Sequence, residues 1–161
     1  MFDRTAPTVP GLAPLLVAVA ALTAACAAPA TTRRVQPIDH DDVEILLAAQ
    51  ATAWNAGDLR AFVATYWRDE ALTFLGGRGL TRGHERLLAD FEKAYPDAET
   101  RGRLTFELIE VRPLGFDHAL VLGRYRLERA QPDDGTFTLI VARFPEGIRI
   151  VHDHSSSSRG G

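Results

Sequence analysis

The sequence predicts an α+β domain, a curved antiparallel sheet packed by three N-terminal helices and closed into a cone. Three observations carry this. Apolar groups at Val43, Leu46, Leu47 and Trp54 recur at helical spacing across residues 41–56. From Leu104 onward the period shortens into four strand-like runs, Leu104–Val111, Ala119–Arg129, Gly135–Phe144 and Ile148–Ser155. Their breaks, at Pro113–Gly115, Pro132–Gly135 and Pro145–Gly147, are short enough to make neighbours antiparallel. Helices first and strands after place the helices on one sheet face. A strongly curved sheet covered in this way leaves a pocket at its wide end.

The elements follow in order. Residues 12–25 carry no charge and are too few to span a bilayer, which takes roughly 20 apolar residues. They read as the apolar region of a signal peptide covering residues 1–25. Cys26 follows Leu22-Thr23-Ala24-Ala25 and is the single cysteine, so it has no disulfide partner within the chain. Residues 26–38 are small, polar and proline-punctuated, a tether rather than a folded element. Asp41 followed by Glu44 matches a capping box for the first helix, and Gly57 supplies its stop. Asp58 caps a short second helix running through Tyr66. Ala71–Leu75 reads as a strand and Gly76-Gly77-Arg78-Gly79 as a turn. Thr81 opens a third helix with Leu87, Leu88, Phe91 and Tyr95 on one side, and Pro96 follows its end. The folded domain is expected over residues 39–156, with a flexible tail at 157–161.

Composition excludes some functions. The 161 residues accommodate one domain with extensions. A net charge of −3, with 18 basic and 21 acidic residues interspersed, offers no basic stripe for nucleic acid. No Ser-His-Asp order or glycine-rich phosphate loop is present, and no cofactor is expected.

Two segments carry a resemblance. Asn55-Ala56-Gly57-Asp58-Leu59 is similar to the helix junction of the nuclear transport factor 2-like superfamily, in its SnoaL-like and ketosteroid-isomerase-like branches. Ile150-Val151-His152-Asp153-His154-Ser155-Ser156 resembles the closing strand of an exported bacterial branch. It is also similar to that of the association domain of calcium/calmodulin-dependent kinases. The resemblance spans about Asp39 to Ser156 and implies the cone fold, a pocket for a small molecule and a homodimer joined through the exposed sheet face. The cysteine resembles that of a bacterial lipoprotein signal. It implies lipidation at Cys26, a membrane anchor and a place in the cell envelope.

The superfamily's isomerase residues do not carry over. The position of its tyrosine donor falls on Gln50 and that of its base on Phe74 or Leu75, none of which takes a proton. The kinase domain's pocket arginines fall near Tyr125, Leu139 and Ser155, so its acidic-peptide site is missing as well. The resemblance turns Gln50 and Trp54, one helical turn apart, toward the pocket. With Tyr66, Phe74, Tyr125 and His152 they are the candidate ligand contacts.

The closing strand presents two sets by alternation: Ile148, Ile150, His152, His154 and Arg149, Val151, Asp153, Ser155. If the first faces inward, two imidazoles point at the pocket. If the second does, Asp153 is its carboxylate and a general-base candidate. The resemblance leans toward the second, and Asp153 and His154 are the catalytic candidates. Two histidines without a third placed ligand do not make a metal site, so none is assigned. Pairing with Arg124 or Arg126 is the expected fate of Asp153. His40, His84 and His118 read as surface residues. Two principal readings result: a small-molecule binding protein, or a cofactor-free isomerase, cyclase or hydratase using Asp153 or His154. A structural dimer module is the third.

Overall fold

Asp39 starts the first helix because its backbone is extended while its carboxylate turns back onto the chain. Its Oδ1 accepts from the Asp42 amide at 3.0 Å, and the Asp42 carboxylate accepts from the Asp39 amide at 3.4 Å. The capping box therefore lies two residues earlier than Asp41 and Glu44 suggested. The computed structural model describes residues 36–158. The expected leader, Cys26 and most of the tether lie outside the described residues, as do residues 159–161 of the tail. No helix among the described residues is long and apolar enough to cross a membrane.

The helices are α1 (His40–Ala56), α2 (Leu59–Val63), α3 (His84–Ala94) and α4 (Ala98–Arg101). The strands are β1 (Thr73–Gly76), β2 (Gly79–Arg82), β3 (Arg103–Pro113), β4 (His118–Glu128), β5 (Asp133–Phe144) and β6 (Gly147–Ser157). The sheet order is β2-β1-β6-β5-β4-β3, antiparallel except where β1 runs parallel to β6. The four long strands match the four predicted runs to within three residues at either end. β6 continues to Ser157, and Ser158 still donates its amide to Asp134.

Three elements differ from expectation. The glycine-rich turn joins β1 to β2 in a hairpin, so Thr81 is a strand residue and α3 begins after Gly83. A two-residue connection between short runs favours a hairpin, and the arginine within it obscures the pattern. The second helix ends at Val63, and Tyr66 instead bridges to Ile150. The short α4 has few apolar groups to mark it. His84 is a buried residue, its Nε2 3.1 Å from the Val63 carbonyl, rather than a surface one.

The core lies between the helices and the concave sheet face. Val43, Leu46, Leu47 and Trp54 of α1, Leu59, Phe62 and Val63 of α2, and Leu87 and Leu88 of α3 pack against Leu104, Val121, Leu127, Phe137, Leu139, Val141 and Ile150. Each such side chain contributes about 1.5–3 kcal/mol by leaving water. A methyl group at Gly123 would collide with the Phe137 ring, so the glycine lets that ring lie across β4 and shape the concave floor.

Candidate functional site

Between the helical layer and the sheet lies a cavity of about 570 Å³. Its walls follow from the helical periodicities. Trp54 on α1 meets Phe62 edge-on at 5.0 Å and Tyr95 at 4.7 Å, and Phe91 joins Phe62 at 5.2 Å and Phe74 at 5.7 Å. Phe106, Tyr125 and Phe137 line the sheet side. Aromatic edges set against faces make a rigid apolar wall.

The floor is polar. Asp153 is 4% exposed and lines the cavity. The Tyr66 hydroxyl donates to its Oδ2 at 2.8 Å and the Ser155 hydroxyl to its Oδ1 at 2.7 Å. Burial drives its carboxyl up from an ordinary 3.8 to about 6, against the two hydroxyl donors, which lower it. Burial, then the Asp153 charge, hold the Tyr66 phenol well above its ordinary 10, so it remains a donor at physiological pH. Gln50 is 2% exposed; its amide biases the Tyr66 hydroxyl, yet its Nε2 forms no well-aligned hydrogen bond among the described residues. Trp54 Nε1 is likewise buried without a partner among the described residues. Unpaired buried donors cost about 1–3 kcal/mol each.

A β-bulge determines what β6 shows the cavity. Ile140 pairs with His152 and Val141 with Ile150, leaving Val151 as an extra residue. Strict alternation therefore fails. Ile150 and Asp153 are both buried although three residues apart, and Ser155 lines the cavity with Asp153. The two alternation sets are each split by the bulge.

His152 and His154 are corrected accordingly, since neither lines the cavity. His152 Nδ1 lies 2.6 Å from the Thr73 hydroxyl, and burial, then the His154 charge, lower its pKa. His154 is exposed. The expected pairing of Asp153 with Arg124 or Arg126 is also overturned. Those arginines point to the outer face, where they meet Glu107 at 3.1 Å and Asp134 at 3.3 Å. Gln50, Trp54, Tyr66, Phe74 and Tyr125 do come together around the cavity with Asp153.

Sequence reasoning missed Ser155 as the second donor to Asp153, because hydroxyl residues in a serine run give no signal of which one is buried. It also missed Arg78, Arg86 and Lys93 at the cavity rim. For metals, His40, Asp41 and Glu44 bring ligand-type atoms within 4.8 Å of one another on the exposed first turn of α1, far in kind from the one-carboxylate floor of the cavity.

Solved structures share this architecture. An NTF2-like protein of unknown function from Shewanella oneidensis is 38% identical over 72% of this chain and 97% of its own, with a TM-score of 0.69. A ketosteroid isomerase-like protein from Erwinia carotovora atroseptica is 20% identical over 74% of this chain and 96% of its own, with a TM-score of 0.61. A domain of unknown function with a cystatin-like fold from Nostoc punctiforme is 21% identical over 76% and 81%, with a TM-score of 0.62. The last two share the fold alone. No family model matches the chain, and no curated protein does.

Proposed function

The chain belongs to the nuclear transport factor 2-like family, and from that premise we propose that its cone binds a small apolar or amphipathic molecule. The observation that supports this most is an aromatic-walled cavity of about 570 Å³ with a buried, hydrogen-bonded carboxylate at its floor. Concave, mostly apolar sites with a few convergent polar groups are the usual setting for small ligands. The neutral fluorophore N-phenyl-1-naphthylamine tests it. Saturable binding at one site per chain, with energy transfer from tryptophan, is expected, weakened by Phe74→Ala and Trp54→Ala. Absence of saturable binding to the folded chain overturns the reading.

A second reading is favoured by Asp153 alone. A carboxyl with a pKa of about 6 that lines an apolar cavity suits general-base work near neutral pH. Proton abstraction from an enolisable ketone is the matching chemistry, with Gln50 as a donor to the developing oxyanion. Deuterium exchange into a panel of aryl ketones is then expected with the wild type and lost in Asp153→Asn, while affinity persists. Exchange equal to buffer alone removes this reading and leaves binding untouched.

The family membership and the leader also support an exported, lipid-anchored homodimer. Fatty-acid labelling of the wild type, abolished in Cys26→Ser, tests the anchor.

A further inference from the structure

We propose that the cavity takes an amphiphile with a single anionic head group, held head-outward at a rim formed by Arg78 and Lys93. The inference rests on the binding reading above and adds the class and orientation of the ligand.

The floor sets the orientation. Asp153 is buried and both of its oxygens already accept hydroxyl donors. An anionic group placed beside it would meet a like charge in a medium of low dielectric, where repulsion is strongest. The walls between floor and rim are apolar rings, Trp54, Phe62, Phe74 and Phe91 among them. That space suits a hydrocarbon or aromatic body, and an anionic head is left only the mouth.

The rim supplies the counter-charge. Five ionisable groups besides Asp153 and the tyrosines line the cavity: Arg78, Arg86, Asp90, Lys93 and Asp133. Asp90 is engaged, since its Oδ1 accepts from Arg86 Nε at 3.0 Å and its Oδ2 accepts from the Thr81 hydroxyl at 2.9 Å. Asp133 is engaged too, accepting from Arg129 at 3.4 Å and from the Ser157 hydroxyl at 2.6 Å. Arg78 and Lys93 have no ion-pair partner among the described residues. Both are exposed; Arg78 sits in the β1–β2 turn and Lys93 in the last turn of α3. The chain's net charge is −3 and Lys93 is its one lysine, so two unopposed cations at the mouth do not follow from a generally basic surface. An arginine fork and a lysine point charge both suit an anionic oxygen group.

Displacement of N-phenyl-1-naphthylamine from the full chain by decanoate and by decan-1-ol tests the proposal, the two probes sharing a body and differing in the head. Decanoate is expected to displace at about one-tenth of the alcohol concentration. Raising the salt should weaken decanoate and leave the alcohol unchanged, because exposed charges are screened. The double variant Arg78→Ala/Lys93→Ala should abolish the tenfold preference while binding the fluorophore as the wild type does, which also verifies its fold. Equal displacement by acid and alcohol, or a preference that survives in the double variant, overturns the anionic-head inference and leaves the binding reading standing. Failure of the fluorophore to bind the wild type overturns both.

Discussion

Asp153 is the residue at which fold and chemistry meet. Its folded pKa of about 6 lies above the ordinary 3.8, so the folded state holds an extra proton between those values. Stability from this group is present below about pH 4, declines as pH rises through 6 and stays lost above it. The difference of about two pKa units corresponds to about 3 kcal/mol. Asp153→Asn is therefore expected to raise stability at pH 8 by about 1–3 kcal/mol and to flatten the decline between pH 4 and 6 relative to wild type, as read by chemical denaturation across pH. Asparagine can accept from Tyr66 and donate to Ser155, so the network survives. Tyr66→Phe acts in the opposite direction. Its hydroxyl favours the ionised carboxylate, and bonds to charged groups are worth about 1.5–3 kcal/mol against about 1 for neutral ones. The variant should lose more stability at pH 8 than at pH 5; equal losses would contradict the assigned hydrogen bond.

At the scale of elements, the Asn55–Leu59 segment is a junction with three separate tasks. Asn55 clamps β3, donating to the Leu104 carbonyl at 3.0 Å and accepting from its amide at 2.8 Å. Gly57 ends α1 at φ 80°, a left-handed conformation that L side chains rarely adopt. Asp58 caps α2 by accepting from the Ala61 amide at 2.8 Å. The motif was legible as a helix stop and start, but the clamp was not, because its partner lies 49 residues away. Asn55→Ala is expected to cost about 2 kcal/mol, one for each lost hydrogen bond, measured as a lower urea midpoint. The bulge in β6 makes a sharper prediction. Deleting Val151 removes the extra residue and leaves Ile150 and Asp153 two positions apart, both inward by strict alternation. Cooperative unfolding should therefore survive without a red shift of Trp54 emission, and loss of cooperativity would contradict the assigned bulge.

At the scale of the molecule, the sheet has two unlike faces. The concave face carries the core and cavity. The outer face carries ion pairs around an apolar strip in which Leu120 and Ile140 are cross-strand partners, with Leu122 and Ile109 beside them. Ile109 is 49% exposed. Such a strip on a solvent-facing sheet is the natural seat of the proposed homodimer. Light scattering is expected to give twice the chain mass for wild type and the single-chain mass for Leu122→Arg/Ile140→Arg, with unchanged circular dichroism. A single-chain mass for wild type removes the dimer.

The sequence by itself determined the α+β class, the four long strands and the shared helical face of Gln50 and Trp54. These depend on periodicity and on punctuation by glycine and proline, which are local properties of the chain. Tertiary structure alone decided which face of β6 meets the cavity. Pairing with β5 inserts Val151 as a bulge, and no local pattern in Ile150–Ser155 announces where two strands fall out of step. It also decided that Asp153 is held by Tyr66 and Ser155 rather than by arginine, because a burial partner 87 residues away is chosen by packing and not by composition. The placement of Arg78 and Lys93 on one rim has the same origin. They are 15 positions apart by number, on a turn and a helix, and only the closure of the cone sets both at its mouth.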